Sequence, residues 1–296
     1  MKQIIFSIII PHKNIPDLLQ RCLNSIPRRD DIQIIVVDDN SDGNIVDFNN
    51  FPGLDEKYVE TYFTKEGKGA GYARNAGLKY AKGKWLLFAD ADDFFNKGFV
   101  KKCDEYKNTD YDIIYFNTNS VESDSLNPVN NRLVYLENWL QNKDLDSLRY
   151  RSAVPYGKMI RRDLIIKKQI RFNEIEVAND VWFSCQIGYF AQKVTVDIYP
   201  IYCATVRNNS LYYHVTTKRR IIRFNECLRV NAFLYTIKKR KYREEPLSYY
   251  IPSLFHLNDI LSFKFLYKYI QQENIIRVLY YLVKYVFYKL ILKIKF

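Results

Sequence analysis

The 296-residue chain is 48 % hydrophobic and 26 % charged, ordinary globular proportions that exclude disorder, a collagen repeat or a disulfide scaffold as whole-chain readings. Its five cysteines (Cys22, Cys103, Cys185, Cys203, Cys227) are odd in number and never form a CxxC pair, which argues against a disulfide framework or a zinc site and suits a reducing compartment. The formal charge of +12 lies wholly in Tyr212–Phe296, where 17 residues are basic and 5 acidic; such a tail suits nucleic acid or an acidic membrane surface, or is a solvated helical face.

Phe6–Ile10 is a β-branched run closed by Pro11, the pattern of a strand buried on both faces. Leu18, Leu19, Cys22, Leu23 and Ile26 recur at helical spacing, and Ile32–Val37 is a second buried strand. Strand, helix, strand predicts a right-handed parallel crossover. Tyr58–Phe63 reads as a third strand, Gly67–Gly71 as a flexible loop, Tyr72–Ala81 as a helix stopped by Gly83, and Lys84–Phe88 as a fourth strand. Beyond these lie a helix over Phe99–Lys107, a strand over Asp112–Asn117, a polar loop over Ser120–Asn131 and a peripheral helix over Arg132–Arg151. A second region starts at Val154–Glu176. It continues with a helix over Asn179–Ala191, one or two strands in Lys193–Arg207, and helix from Lys218 onward with a break at Pro246. No run of about 18 uncharged apolar residues occurs, so no ordinary spanning helix is expected. Pro11 stops Gln3–Ile10 too early for a signal peptide.

Ligands of open α/β sheets bind beyond the carboxyl ends of the strands. Three strands here end in polar or acidic clusters: Pro11-His-Lys-Asn14, Asp38-Asp39 and Asp90-Ala-Asp92. Turn chemistry accounts for one such end; three on one sheet point to a site. Asp-x-Asp after an apolar strand offers hard oxygen ligands to a divalent cation that keeps positions for phosphate. An ionised Asp38 or Asp39 only accepts hydrogen bonds, so it suits uracil N3–H, or guanine N1–H, and repels cytosine N3. Gly67-x-Gly-x-Gly71 lacks the place and spacing of the dinucleotide fingerprint, but its glycines permit close backbone approach to a ligand. Arg74 behind it is a fork donor for phosphate, or one half of a structural ion pair.

Ser7-Ile-Ile-Ile-Pro-His-Lys-Asn14, Ile34-Ile-Val-Val-Asp-Asp-Asn-Ser-Asp42, Gly71-Tyr-Ala-Arg-Asn-Ala-Gly77 and Phe88-Ala-Asp-Ala-Asp-Asp93 resemble, in order and spacing, the motifs of family two glycosyltransferases, inverting enzymes of the GT-A fold. The resemblance covers roughly residues 4–211. It implies an α/β fold with a Rossmann-like, mostly parallel sheet and flanking helices, carrying a C-terminal helical extension. The domains expected are 1–211, with a nucleotide-sugar half to about 117 and an acceptor half from about 118, and the extension 212–296.

The resemblance also implies roles. Pro11 and Asn14 lie in the first donor-binding loop, and Lys13 stands where the family often stacks an aromatic ring on the base. Asp39, with Asp38 beside it, contacts the base; Arg74 lies near the donor phosphates; Asp90 contacts the ribose and Asp92 the metal, Mn or Mg. Asp93 is more often structural or on the acceptor side. Asp180 matches the catalytic base, with Asn179 in place of the family's Glu. Arg207 belongs to an element that closes over the diphosphate, and His214 is an additional metal ligand or a surface residue. The implied donor is a UDP-hexose or UDP-N-acetylhexosamine, and the acceptor a glycan or lipid-linked glycan of a bacterial surface polysaccharide, handled by a cytoplasmic enzyme on the inner face of the cell membrane.

Inverting transfer needs one carboxylate to take the acceptor proton, here Asp180. It also needs positive charge at the leaving diphosphate, from the cation on Asp92 with Arg207. A sugar-phosphate nucleotidyltransferase is the other enzyme considered; it ranks lower because Pro-His-Lys-Asn replaces its Gly-rich signature after the first strand. A basic nucleic-acid-binding protein is the non-enzymatic alternative, but no known nucleic-acid motif is present and nucleic acid is not the expected partner. In the tail, Ile276, Leu279, Val283, Val286, Phe287, Leu290, Ile291 and Ile294 share one helical arc from which Arg277, Lys284, Lys289, Lys293 and Lys295 are excluded. That suits a helix lying on an anionic membrane, aided by Lys238-Lys-Arg-Lys241. Packing on the catalytic domain, or on a second copy as a homodimer, is the alternative.

Overall fold

The computed structural model describes residues 3–130, 135–207, 216–244 and separate positions between 267 and 283. The chain divides into two compact units, Met1–Tyr213 and His214–Phe296.

The first unit is built on one eight-stranded sheet. Its strands are β1 (Phe6–His12), β2 (Ile32–Asp39), β3 (Val59–Thr64), β4 (Trp85–Phe88), β5 (Phe94–Phe95), β6 (Ile113–Glu122), β7 (Lys158–Arg161) and β8 (Val194–Val206), in the order β3-β2-β1-β4-β7-β6-β8-β5. β3, β2, β1 and β4 are mutually parallel, as are β6 and β8, while β7 and β5 pair antiparallel to their neighbours. The sheet is therefore mostly parallel, as expected. β1 and β2 are buried over their full length because layers cover both faces. Ile8, Ile10, Ile34 and Val36 point to one layer with Leu19, Cys22 and Leu23 of α1 (Pro16–Asn24); Ile9, Ile35 and Val37 point to the other, with Ala73 of α2 (Ala70–Tyr80). α1 carries the chain from β1 to β2 and α2 from β3 back to β4 on the far side of β1. Crossovers of one hand running in opposite directions place their helices on opposite faces. β1 is thus the switch point, where a crevice opens at the carboxyl ends.

α3 (Phe99–Asp104) ends three residues before the expected limit. β6 runs on to Glu122, through the first part of the polar segment expected to be loop. Pairing with β8 from Ser120↔Ala204 to Glu122↔Val206 holds it extended despite its composition. The single helix expected over Arg132–Arg151 is two, α4 (Tyr135–Asn142) and α5 (Leu145–Arg151). Lys143 turns left-handed (φ 53°), and the Asp144 side chain then caps the N–H of Ser147 to start the second helix. α6 (Arg162–Lys167) and α7 (Val181–Phe190) follow, and the expected one or two strands after them are the single bulged strand β8.

In the second unit, α8 (Thr217–Thr236) is capped by Thr216 and buries Phe224, Cys227, Leu228, Asn231 and Leu234 along one stripe. The Asn231 amide exchanges hydrogen bonds with the Glu244 backbone (2.7 and 2.9 Å). Among the described residues no helix is long and apolar enough to cross a membrane. Most of the arc from Ile276 to Ile294 lies outside the described residues, as do Pro246 and His214.

Candidate active site

Parallel register brings the ends of β1 and β2 together, pairing Pro11 with Val37 and His12 with Asp38. His12 Nδ1 donates to Asp38 Oδ2 (2.7 Å), and its Nε2 accepts the Ile15 N–H (3.1 Å), which places the ring proton on Nδ1. Ser41 gives Asp38 two more bonds, from its N–H to Oδ1 (2.9 Å) and from its hydroxyl to Oδ2 (2.5 Å). Burial pushes the Asp38 carboxyl up, but the bonds from His12 and Ser41 outweigh it and hold the pKa below the ordinary value. Asn14, in the left-handed region at φ 57°, donates its N–H to Ser41 and accepts from the Asp42 N–H (both 2.8 Å). Asp38 and Asn14 therefore brace the two loops.

Asp39 points the other way. Its Oδ2 accepts the Gly69 N–H (2.7 Å), while its Oδ1 is buried and has no hydrogen-bond partner among the described residues. An orphaned carboxylate oxygen in a protein interior is costly, so it marks a place for a donor. Of the two, only Asp39 has a buried oxygen without a partner among the described residues, for both Asp38 oxygens are taken.

The Gly71–Gly77 motif makes up most of α2, with its two glycines on different sides of the helix. A Cβ on Gly71 would lie 2.0 Å from the Asn173 carbonyl oxygen, and one on Gly77 would lie 2.6 Å from Ile9 Cγ2, so the helix wedges between sheet and loop only where it is bare. The backbone approach at Gly71 is thus to the protein's own 173 loop. Asn75 holds that loop as a strand would, through Nδ2 to the Phe172 carbonyl and Oδ1 from the Phe172 N–H (both 2.9 Å). Arg74, buried over the Phe172 ring, donates to Asn179 Oδ1 (2.8 Å) and ion-pairs with Asp90. One guanidinium thus ties the β4 end to the start of α7, where Asp180 is the N-cap residue yet caps none of the helix's N–H groups. Burial raises the Asp180 pKa, Arg74 and Lys158 oppose it, and Asp90 adds to it.

Asp90, Asp92 and Asp93 cluster after β4, with carboxylate oxygens within 4.8 Å of one another. Asp93 is buried and fully engaged, accepting from the Tyr202 hydroxyl (2.8 Å) and the Thr205 N–H (2.6 Å). Tyr202 in turn accepts the Asp90 N–H (2.9 Å), so β8 stitches the acidic turn in place. Asp92 is partly open and accepts from Arg207 Nε (3.0 Å) and Nη2 (2.6 Å), both on Oδ2. Burial and the neighbouring aspartates push Asp93 far up; burial and Asp90 raise Asp92 against the pull of Arg207. An all-oxygen set crowded with its own negative charge fits a hard divalent cation, and Asp90 and Asp92 are its partly open members while Asp93 is buried.

The sheet edge and Arg74 thus assemble Pro11, Asn14, Asp38, Asp39, Arg74, Asp90, Asp92, Asp180 and Arg207 around the carboxyl ends of β1, β2 and β4. His214 lies outside the described residues. Sequence reading missed Tyr202 as a brace and Lys158 as a buried charge. Lys158 Nζ donates to the Ser152 and Val154 carbonyls (2.6 Å each); burial pulls its pKa down to about 7 and the Asp180 carboxylate opposes this. Nothing in the local sequence marks that lysine as internal.

The family model described as glycosyl transferase family 2 matches residues 7–167. Among curated proteins, the chain is similar to a poly(ribitol-phosphate) beta-glucosyltransferase of Bacillus spizizenii, 28 % identical over 199 residues, covering 64 % of this chain and 30 % of that protein. It is also similar to the glycosyltransferase GlyA of Streptococcus pneumoniae, 27 % identical over 224 residues, covering 69 % and 31 %. The chain thus spans less than a third of the length of either relative. Its fold resembles S. aureus TarS 1-349 in complex with UDP-GlcNAc, at TM-score 0.64 and 19 % identity, covering 90 % of this chain and 81 % of that one. It also resembles the mannosyltransferase PcManGT of Pyrobaculum calidifontis, solved with GDP-Man and Mn2+, at TM-score 0.57 and 17 % identity, covering 80 % and 65 %.

Proposed function

The chain belongs to glycosyl transferase family 2, and we propose that it is an inverting glycosyltransferase moving a hexosyl or N-acetylhexosaminyl group from a UDP-sugar to a hydroxyl of a glycan or lipid-linked glycan. The observation that carries this is Arg74: one buried side chain joins the acidic cluster to the helix start that bears Asp180. Donor-binding and proton-accepting groups then face one crevice.

Asp39 Oδ1 accepts the base N3–H, a contact uracil offers and cytosine lacks. Asp90 takes the ribose hydroxyls. A divalent cation, Mn²⁺ or Mg²⁺, on Asp92 would offset the charge gathering on the departing diphosphate. Arg207, already against Asp92, adds positive charge on the same side. Asp180 takes the acceptor proton as the hydroxyl attacks the anomeric carbon from the face opposite the leaving group.

The second unit holds the chain on the inner face of an anionic membrane, where a lipid-linked acceptor is embedded. Of the predicted arc, Ile276, Leu279 and Val283 are described, and they are 72, 53 and 54 % exposed, whereas Val278 beside them is buried. A panel of UDP-, GDP- and CDP-sugars tests the catalytic reading, with nucleoside diphosphate release measured with Mn²⁺, with Mg²⁺ and with chelator. Release from a UDP-sugar that chelator abolishes is the expected result; turnover of CDP-sugars, or indifference to chelator, would overturn it.

A further inference from the structure

The rim of the Asp39 oxygen carries a charge that the reading above does not use. Lys13 follows β1, and its ammonium donates to the Asp39 backbone carbonyl (3.1 Å) and lies 3.9 Å from Asp39 Oδ2. It also lies 3.6 Å from where a Cβ of Gly67 would stand, on the loop that donates the Gly69 N–H to the same carboxylate. The Lys13 side chain is 48 % exposed while Asp39 is 3 % exposed, so the amine stands at the mouth and the carboxylate at the floor. An ammonium has three donors and no acceptor, and the Asp39 carbonyl occupies one of them.

We propose that Lys13 is a specificity-determining residue that donates to the carbonyl oxygen next to the base N–H accepted by Asp39. The inference rests on the reading of Asp39 as the base acceptor. In uracil the N3–H is flanked by two carbonyl oxygens, so an edge that meets Asp39 Oδ1 presents an acceptor to any donor beside the carboxylate. In cytosine an amino group replaces one of those oxygens and N3 carries no hydrogen. Lys13 and Asp39 together read acceptor-then-donor along the base edge. A charged hydrogen bond at the edge takes the role that a stacked ring would play on the face.

The test measures binding of UDP, CDP and inorganic pyrophosphate, each with Mn²⁺, by titration calorimetry. The proteins are the full-length chain and its Lys13→Met, Lys13→Arg and Asp39→Asn variants. A hydrogen bond from a charged donor predicts that Lys13→Met weakens UDP about tenfold or more. CDP and pyrophosphate should stay within about twofold, and Lys13→Arg should keep most of the UDP affinity. Equal weakening of UDP and pyrophosphate would assign Lys13 to the phosphates or to loop structure and overturn the proposal, as would unchanged UDP binding in Lys13→Met. The Asp39→Asn arm stands apart: if that variant still prefers UDP to CDP, the reading of Asp39 fails whatever Lys13 does.

Discussion

Asp180, half-buried, and Asp38, fully buried, show how differently two carboxylates are used. Asp38 is surrounded by donors, held ionised, and spent on joining β1 to β2. Asp180 caps nothing, and burial raises its pKa, so its proton affinity lies closer to the range useful to a base at neutral pH. Asp180→Asn is therefore expected to bind UDP as the wild type does and to transfer sugar about 10²–10⁴ times more slowly. The sign of the pH dependence follows from the same shift. A base must be ionised to act, and the Asp180 pKa is raised, so the rate of transfer is expected to fall as pH drops through a value above the ordinary aspartate one. A pH profile of kcat/KM should show that acid limb in the wild type, and the residual rate of Asp180→Asn should lack it. An acid limb at the pKa of an ordinary exposed aspartate, or near wild-type turnover by the variant, would remove Asp180 from the role.

Among the elements, α2 sets the site, because it carries the 172–179 loop on Asn75, the acidic cluster on Arg74 and its own close approach on Gly71. A Cβ at residue 71 meets backbone rather than a side chain that could turn aside. Gly71→Ala should cost about 1–3 kcal/mol in denaturant unfolding. Gly43→Ala, where nothing lies within 4 Å of the added atom, should be close to neutral. Equal stability of the two variants would show that the loop yields without cost. β1 and β2 could be read from the sequence because a strand covered on both faces needs a continuous apolar run. The three polar or acidic strand ends could be read because parallel neighbours must end at one edge. The extension of β6 and the split at Lys143 could not, since tertiary pairing and one left-handed residue override the local pattern. Nor could the bracing role of Asp38, which depends on His12 reaching across from the neighbouring strand, or the burial of Lys158.

For the whole molecule, the uneven charge is the feature that the catalytic chemistry leaves over. The residues up to Leu211 carry no net charge, and the remainder carries +12. Crowded basic charge adds nothing to a packed core, but near an anionic bilayer each Lys or Arg contributes about 1 kcal/mol. Lys238, Arg240 and Lys241 are exposed just after α8, and Leu279 and Val283 expose apolar side chains one helical turn apart. Attraction of the first kind weakens with salt, whereas apolar insertion does not. Full-length protein is therefore expected to sediment with vesicles containing anionic lipid at low salt, more weakly as salt rises, and to ignore neutral vesicles. The Leu279→Asp, Val283→Asp double variant should lose sedimentation at every salt concentration while its UDP affinity stays unchanged, because neither residue is among those assigned to the nucleotide. If the full-length chain stays in solution with anionic vesicles at low salt, or if the double variant becomes an altered oligomer rather than losing lipid, the exposed face is a protein contact and the membrane assignment fails.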